Sequence, residues 1–280
     1  MQRKPSWLRV EYSAAEARKT QDILEKLRLN TVCNAADCPN LSECFRKGTA
    51  TFMIMGSQCT RNCRFCKVTH GEPSPLDPDE PARVAEAVAA LKLSHAVVTS
   101  VTRDDLPDGG AAHFAKVIEE VRKTSPDATV EVLIPDMKGD TASLDIVLRA
   151  KPDVLNHNIE TVPSLYSRIR PEADYRRSLF VLEYCAGKGA LTKTGMMVGL
   201  GETEEEVFRT MEDILAVGCG LLTVGQYLRP SKQHPEVVEY VTPEQFERYR
   251  IMGEQKGFRY VASAPLVRSS YRAGEALGRL

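Results

Sequence analysis

Short apolar or β-branched runs recur along the chain with longer amphipathic stretches between them. The runs are TFMIMG (51–56), HAVVTSV (95–101), TVEVLI (129–134), DVLNHN (153–158), TKTGMMV (192–198) and LLTVGQY (221–227). Each is short and rich in apolar or β-branched residues, and each reads as a candidate strand. Between them the pattern predicts helices near 80–92, 110–124, 140–150, 175–188 and 203–216, preceded by one over 13–29. Three helix starts carry capping signals: Ser13 with Glu16, Thr203 with Glu206, and Thr242-Pro-Glu-Gln245 with proline at the first helical position. Alternating β and α at this spacing calls for parallel strands joined by crossover helices. Six βα units are too few for a closed eightfold barrel. The expected fold is therefore α/β, a partial (β/α)6 TIM-like barrel with N-terminal and C-terminal extensions; periodicity alone also allows a flat doubly wound sheet.

The ends of the predicted strands carry the unusual residues. They run into Thr99-Ser100 and TRDDLPDGG, into PDMKGD, into Asn156-His157-Asn158 and Glu160, into GLGE (199–202), and into Tyr227, Arg229 and Ser231. Parallel barrels gather their chemistry on the face where strands end, so these groups are expected on one rim. Arg103, Asp104 and Asp105 read either as a surface charge run or as a network positioning that rim, with the second favoured. The methionine pair 196–197 reads as core. Pro265 is expected to break the last strand.

Composition adds mostly exclusions. The 280 residues are 42% hydrophobic and 27% charged with a formal net charge of −1, so no general field attracts nucleic acid or anionic membrane. No apolar run reaches the roughly eighteen residues of a membrane span, and the first residues lack the apolar core of a secretory signal. Membrane and nucleic acid are not expected as partners, and the expected location is the cytoplasm.

The cysteines change the picture. Six of eight fall into two groups, Cys33-x4-Cys38-x5-Cys44, in a polar stretch with Pro39 that reads as loop, and Cys59-x3-Cys63-x2-Cys66; Cys185 and Cys219 stand apart and read as small buried hydrophobes. Clustered thiols without an export signal point to metal ligands rather than disulfides. Zinc takes four ligands, commonly as two pairs, and only His70 offers to complete the second group. Three thiolates on a cubane iron–sulfur cluster instead leave one iron open to a small chelating molecule.

The stretch CTRNCRFC, including Phe65 before its last cysteine, resembles the signature of the radical S-adenosylmethionine (SAM) enzymes. With LNTVCNAADCPNLSECF, VTSVTRDDLPDGGA, LNHNIET, KTGMMVGLGE and PLVRSSY, the chain from about Leu29 to Tyr271 resembles the lipoyl synthase family. Two departures are visible: Phe45 where tryptophan is expected and Met137 where phenylalanine is common. The resemblance implies two 4Fe–4S clusters and SAM as cofactors. Cys59, Cys63 and Cys66 would hold the SAM-binding cluster; Cys33, Cys38 and Cys44 would hold an auxiliary, sacrificial one. The fourth auxiliary ligand would be Ser270 of RSSY, with Ser269 as rival. A serine ligand binds as a hard alkoxide and leaves once protonated, which suits a cluster that gives up sulfur. SAM contacts are expected from Phe65, Thr99, Ser100, Asn158, Glu160, Gly199 and Glu202, although Asn158 and Glu160 also suit helix capping. His157 reads equally as a satisfied core residue or a catalytic one, and it is left out of the expected site.

The implied reaction inserts sulfur at C6 and C8 of an octanoyl chain amide-linked to a lysine of a lipoyl carrier, such as an E2 subunit or the glycine cleavage H protein. An external electron donor and an iron–sulfur carrier for rebuilding the auxiliary cluster are implied as further partners. Residues 1–50 would form an N-terminal helix and auxiliary-cluster arm, 51–257 the barrel, and 258–280 a C-terminal segment carrying RSSY. The alternatives are another sulfur-inserting radical SAM enzyme, biotin-synthase-like or a methylthiotransferase, and, remotely, a zinc-binding nucleic-acid module.

Overall fold

The computed structural model describes residues 4–9, 14–46, 50–271 and 273–278. The Ser13–Glu16 capping signal lies outside these residues. Two compact bodies are distinguished: Tyr12–Asn62 with Lys67–Asn156, and Met1–Glu11 with Cys63–Cys66 and His157–Leu280.

The first body begins with α1 (Ala14–Lys26), β1 (Asn30–Thr31), α2 (Val32–Ala35) and α3 (Leu41–Arg46). It continues with β2 (Thr51–Ile54), β3 (Gln58–Cys59), β4 (Thr69–His70), α4 (Glu80–Ala90), β5 (His95–Ser100), α5 (Ala111–Thr124), β6 (Thr129–Leu133), α6 (Thr141–Arg149) and β7 (Val154–Asn156). Strands β2, β5, β6 and β7 are parallel in that order, and β1 adds antiparallel to β2 with Thr31 opposite Phe52. Val84 and Val88 of α4, Phe114 and Ile118 of α5, and Leu144 and Val147 of α6 are all buried, as are Val98, Val130 and Val132 of the strands. The chain leaves β2 sharply because Met55 adopts φ 67° and Gly56 φ 96°. The expected strand therefore stops two residues early.

The second body holds α7 (Tyr166–Ile169), α8 (Tyr175–Gly187), β8 (Thr192–Val198), α9 (Glu204–Ala216), β9 (Leu221–Gln226), α10 (Pro243–Lys256), β10 (Tyr260–Ser263) and α11 (Gly274–Leu277). Strands β8, β9 and β10 are parallel, with Leu221 opposite both Lys193 and Tyr260. Their core includes Met196, Val198, Met211, Ile214, Val224, Phe246 and Phe258. The expected cap at Thr203 is a full capping box with Glu206. At α10, Thr242 accepts from Gln245 N–H with Pro243 in the first turn, but the Gln245 amide donates to Glu204, so that box is one-sided. The strands of neither body close into a ring.

The first cysteine group corrects the sequence reading. It was expected as loop; instead Cys33 lies in α2 and Cys44 in α3. Thr31 starts α2 by accepting from Asn34 N–H at 3.2 Å. Asn40 O accepts from Cys44 N–H at 2.9 Å and sets the first turn of α3. Helices this short show no hydrophobic period and owe their stability to packing. That packing is visible: Thr20 of α1 donates to Phe45 O at 2.8 Å, and Phe45 is only 2% exposed.

Candidate functional site

Cys59 is fixed by its own strand and by the loop after β5. It pairs with His70 across β3 and β4, and Gly71 N–H donates to its carbonyl at 3.0 Å. Thr102 N–H points at its Sγ at 3.2 Å, a donor suited to a thiolate. Thr60 Oγ1 donates to Thr102 O and accepts from Asp104 N–H at 3.1 Å. Arg61 then closes the stitch. Its Nε and one terminal nitrogen fork onto Asp104 at 2.6 and 2.9 Å, and that nitrogen also reaches Asp136 at 2.6 Å. Burial opposes the Arg61 charge, but the hydrogen bonds and charges of Asp104 and Asp136 outweigh it and raise its pKa. Arg103 is buried and forks onto Asp105, whose carboxyl is held below the usual range by that hydrogen bond. The Arg103–Asp105 stretch is thus a positioning network, the reading favoured from sequence. Arg61 was not singled out there, although it stands inside the second cysteine group.

In the other body, the Cys63–Cys66 segment is held at three points. Arg64 N–H donates to Ile169 O at 2.9 Å. Phe65 packs against the cluster of Ile169, Leu200 and Tyr227. His234 Nε2 meets Cys66 O at 3.0 Å.

Cys33, Cys38 and Cys44 all lie within the first body. Cys38 N–H donates to Cys33 O at 3.0 Å, linking two of the three residues through the main chain. Cys33 is 6% exposed, and burial pushes its thiol up to about 11, against hydrogen bonding from Thr51.

RSSY lies in the second body, over two strand glycines. A Cβ at Gly225 of β9 would stand 2.1 Å from Val267 O, and one at Gly195 of β8 would stand 3.0 Å from Ser269 Oγ. Only glycine at these places lets the segment approach the strands so closely. Asn158 Nδ2 donates to Ser269 Oγ at 2.7 Å and to Glu160 Oε1 at 2.9 Å. Asn158 Oδ1 is buried without a hydrogen-bond partner. Burial raises the Glu160 carboxyl above its usual range, against the pull of Arg170. Glu160 itself sits at φ 69°, in the left-handed region, four residues past the end of β7.

Against this geometry, residues 53–214 match the Radical SAM superfamily. A lipoyl synthase of Caldanaerobacter subterraneus subsp. tengcongensis is 58% identical over 98% of this chain and 97% of its own length. One from Nitratidesulfovibrio vulgaris is 56% identical over 99% of this chain and 93% of its own. The chain belongs to the lipoyl synthase family. Among solved structures, methylornithine synthase matches with TM-score 0.58 at 13% identity, covering 95% of this chain and 83% of its own. Streptococcus suis SuiB bound to S-adenosylmethionine matches with TM-score 0.59 at 8% identity, over 80% of this chain and 53% of its own. At such identities these two show the fold, the partial α/β barrel expected from the strand count.

The other contacts expected from the lipoyl synthase pattern divide by what their polar atoms do. Ser100 Oγ is buried with no partner, like Asn158 Oδ1. A buried polar atom without a partner costs free energy unless a ligand supplies one, so each fits contact with a polar ligand. Thr99 Oγ1 instead donates to Leu133 O at 3.0 Å and braces β6. Glu202 accepts from Leu200 N–H at 3.0 Å and from Gly199 N–H, shaping the GLGE turn; burial leads in raising its pKa. Gly199 is needed for space, since a Cβ there would lie 2.2 Å from Gln226 Nε2. Among the described residues no three His, Cys, Asp or Glu side chains are gathered to hold a single metal ion. A cubane takes each thiolate at a different iron, so its ligands stand farther apart than those of one ion, and the soft thiolate set fits it. No helix among the described residues is long and apolar enough to cross a membrane.

Proposed function

We propose that this member of the lipoyl synthase family acts with two 4Fe–4S clusters. One is bound by Cys59, Cys63 and Cys66, the other by Cys33, Cys38, Cys44 and Ser270. When bound, these groups and SAM supply a hydrogen-abstracting organic radical and the sulfur that is inserted. The enzyme is a sulfurtransferase, and its substrate is a lipoyl carrier bearing an octanoyl-lysine, modified at C6 and C8. The donor chemistry carries the reading: two thiol triads, with a main-chain N–H already directed at one sulfur, Cys59 Sγ.

The chain's own residues have separable tasks. Thr102 and the Arg61 network hold Cys59, while Phe65 and Arg64 anchor Cys63–Cys66. Ser100 and Asn158 offer unpaired buried oxygens toward SAM, and Glu160 is oriented by Asn158 to meet it. Thr99, Gly199 and Glu202 act on SAM through the backbone they shape. Ser269 is engaged by Asn158, which supports Ser270 as the iron ligand. Burial excludes water from the radical, a role for the protein rather than the cofactor. Residues 1–50 act as the auxiliary-cluster arm, 51–257 as the barrel, and 258–280 as the ligand-bearing tail. E2 subunits and the glycine cleavage H protein fit as carriers. An external electron donor and an iron–sulfur carrier complete the partners, in the cytoplasm.

Anaerobic iron and sulfide analysis tests the first half: two cubanes require about eight of each per chain. Incubation with an octanoyl-lysyl peptide, SAM and reductant tests the second. A fully loaded preparation that cleaves SAM yet yields no thiolated peptide refutes the assignment.

A further inference from the structure

The loop after β9 is built around one histidine. Arg229 Nε donates to His234 O at 2.8 Å, and a terminal nitrogen of the same guanidinium donates to Lys232 O at 2.6 Å. Tyr227 Oη donates to Pro235 O at 3.0 Å. His234 N–H donates to Ser231 O at 3.1 Å, and Gln233 N–H donates to Ser231 Oγ at 3.2 Å. These bonds fix the backbone on both sides of His234. Its ring is then held at both nitrogens: Nδ1 is 2.8 Å from Ser231 Oγ, and Nε2 is 3.0 Å from Cys66 O.

The pairing assigns the protons. A carbonyl only accepts, so Nε2 carries hydrogen. Ser231 Oγ already accepts from Gln233, which leaves its own proton for Nδ1. The ring therefore reaches Cys66 at its main-chain carbonyl. Of the three holdfasts on Cys63–Cys66, the Arg64 hydrogen bond and the Phe65 packing set where the segment lies. The His234 bond does something else: it fixes the peptide plane after Cys66, and with it the backbone frame from which the thiol projects.

We propose that His234 is a positioning residue for the cluster held by the Cys59–Cys63–Cys66 motif, acting through the Cys66 carbonyl with Ser231 orienting its ring. The proposal rests on reading that motif as a cluster ligand set. Outer partners that orient a metal ligand carry a large share of a site's affinity, about ten- to a hundredfold when removed.

The test uses the full chain, reconstituted anaerobically, as wild type, His234→Ala, His234→Gln and Ser231→Ala. Glutamine keeps an N–H donor of similar reach and alanine does not. The readouts are the rate of iron loss to a chelator, the reduction midpoint, and that part of the reduced EPR signal which responds to SAM. The SAM response isolates this centre from the auxiliary one. Thermal melting of the metal-free proteins reports on the loop as scaffold. His234→Ala is expected to lose iron from the SAM-responsive centre about ten- to a hundredfold faster, with a shifted signal. His234→Gln is expected to recover most of that loss, and Ser231→Ala to fall between. An unchanged signal, midpoint and iron-loss rate in His234→Ala overturns the proposal. So does equal loss in alanine and glutamine variants that tracks a lowered melting temperature, because that is the behaviour of a loop brace. If wild-type protein binds no iron at the motif, the cluster reading falls first and the positioning role with it.

Discussion

Replacing Arg61 by methionine should destabilise the fold where Cys59 is seated. The Arg61 side chain is 5% exposed, its partner Asp136 is 0% exposed, and Asp104 is 26% exposed. Methionine keeps the aliphatic stem and deletes the charge. Asp136 then remains a buried carboxylate that has lost the guanidinium, while it keeps the Lys138 N–H at 3.1 Å. Truncating one partner of a buried ion pair costs about 3–5 kcal/mol, most of it the stranded charge. Asp104→Asn, at the wetter end, should cost about 1 kcal/mol after screening. Arg61→Lys keeps the charge but loses the fork that spans both carboxylates, and should fall between the two. The assay is urea unfolding of the metal-free, reduced chain, paired with hydrogen exchange at Thr60, Thr102 and Asp104. The exchange data catch the case in which the Cys59 turn opens locally before the rest unfolds. A loss under about 1 kcal/mol for Arg61→Met with unchanged exchange at those amides would refute the argument that this network seats Cys59.

Three further outcomes follow from the same geometry. Gly225→Ala places a methyl 2.1 Å from Val267 O, so the backbone before RSSY must move; the variant should lose about 1–3 kcal/mol in urea unfolding. It should keep SAM cleavage while losing thiolated product, and normal product formation would contradict the seating of RSSY on β9. Glu160 has a folded pKa raised above its ordinary 4.5, so the folded state retains a proton that the unfolded chain has released. Stability from this group is therefore full below about pH 4.5 and declines as pH rises through the folded value. Glu160→Gln should gain on wild type as pH is raised, and a difference in unfolding free energy that stays flat with pH would contradict this. Finally, Cys185 and Cys219 are 0% exposed, and burial pushes the Cys219 thiol up to about 12. Brief alkylation of the native, metal-free chain followed by mass mapping should mark cysteines of the two triads and spare these two, whereas early labelling of Cys219 would show that its core opens.

Much of the fold was legible because short apolar or β-branched runs alternate with longer helical stretches, the pattern of parallel strands with crossover helices. Of the six strands given a range, β8 was placed to the residue and the other five to within one or two, while β1, β3, β4 and β10 were given none. The ends were lost where the backbone turns for reasons no side chain advertises, as at Met55 with φ 67°. The auxiliary triad was legible as chemistry but misread as loop. A four-residue helix such as α2 has no period to detect, and its stability comes from Thr31 and from α1 rather than from its own sequence.

The site was legible in proportion to how local its signal is. Cysteine spacing is a local signal, so both triads stand out in one dimension. The residues that hold the triads are not local: Arg61 meets Asp136 across 75 positions and His234 meets Cys66 across 168. A lone arginine or histidine carries no mark of such a partner. The strand glycines did carry one. Gly195 and Gly225 interrupt otherwise well-packed strands, and a glycine there signals the close approach of another backbone; here that backbone leads into RSSY. The expected SAM contacts show the opposite bias, because Thr99 and Glu202 sit where ligand residues belong yet spend their polar atoms on Leu133 and the GLGE turn. Position at a strand end therefore nominates a residue, and an unspent buried polar atom, as at Ser100 and Asn158, adds a second observation that fits a ligand contact.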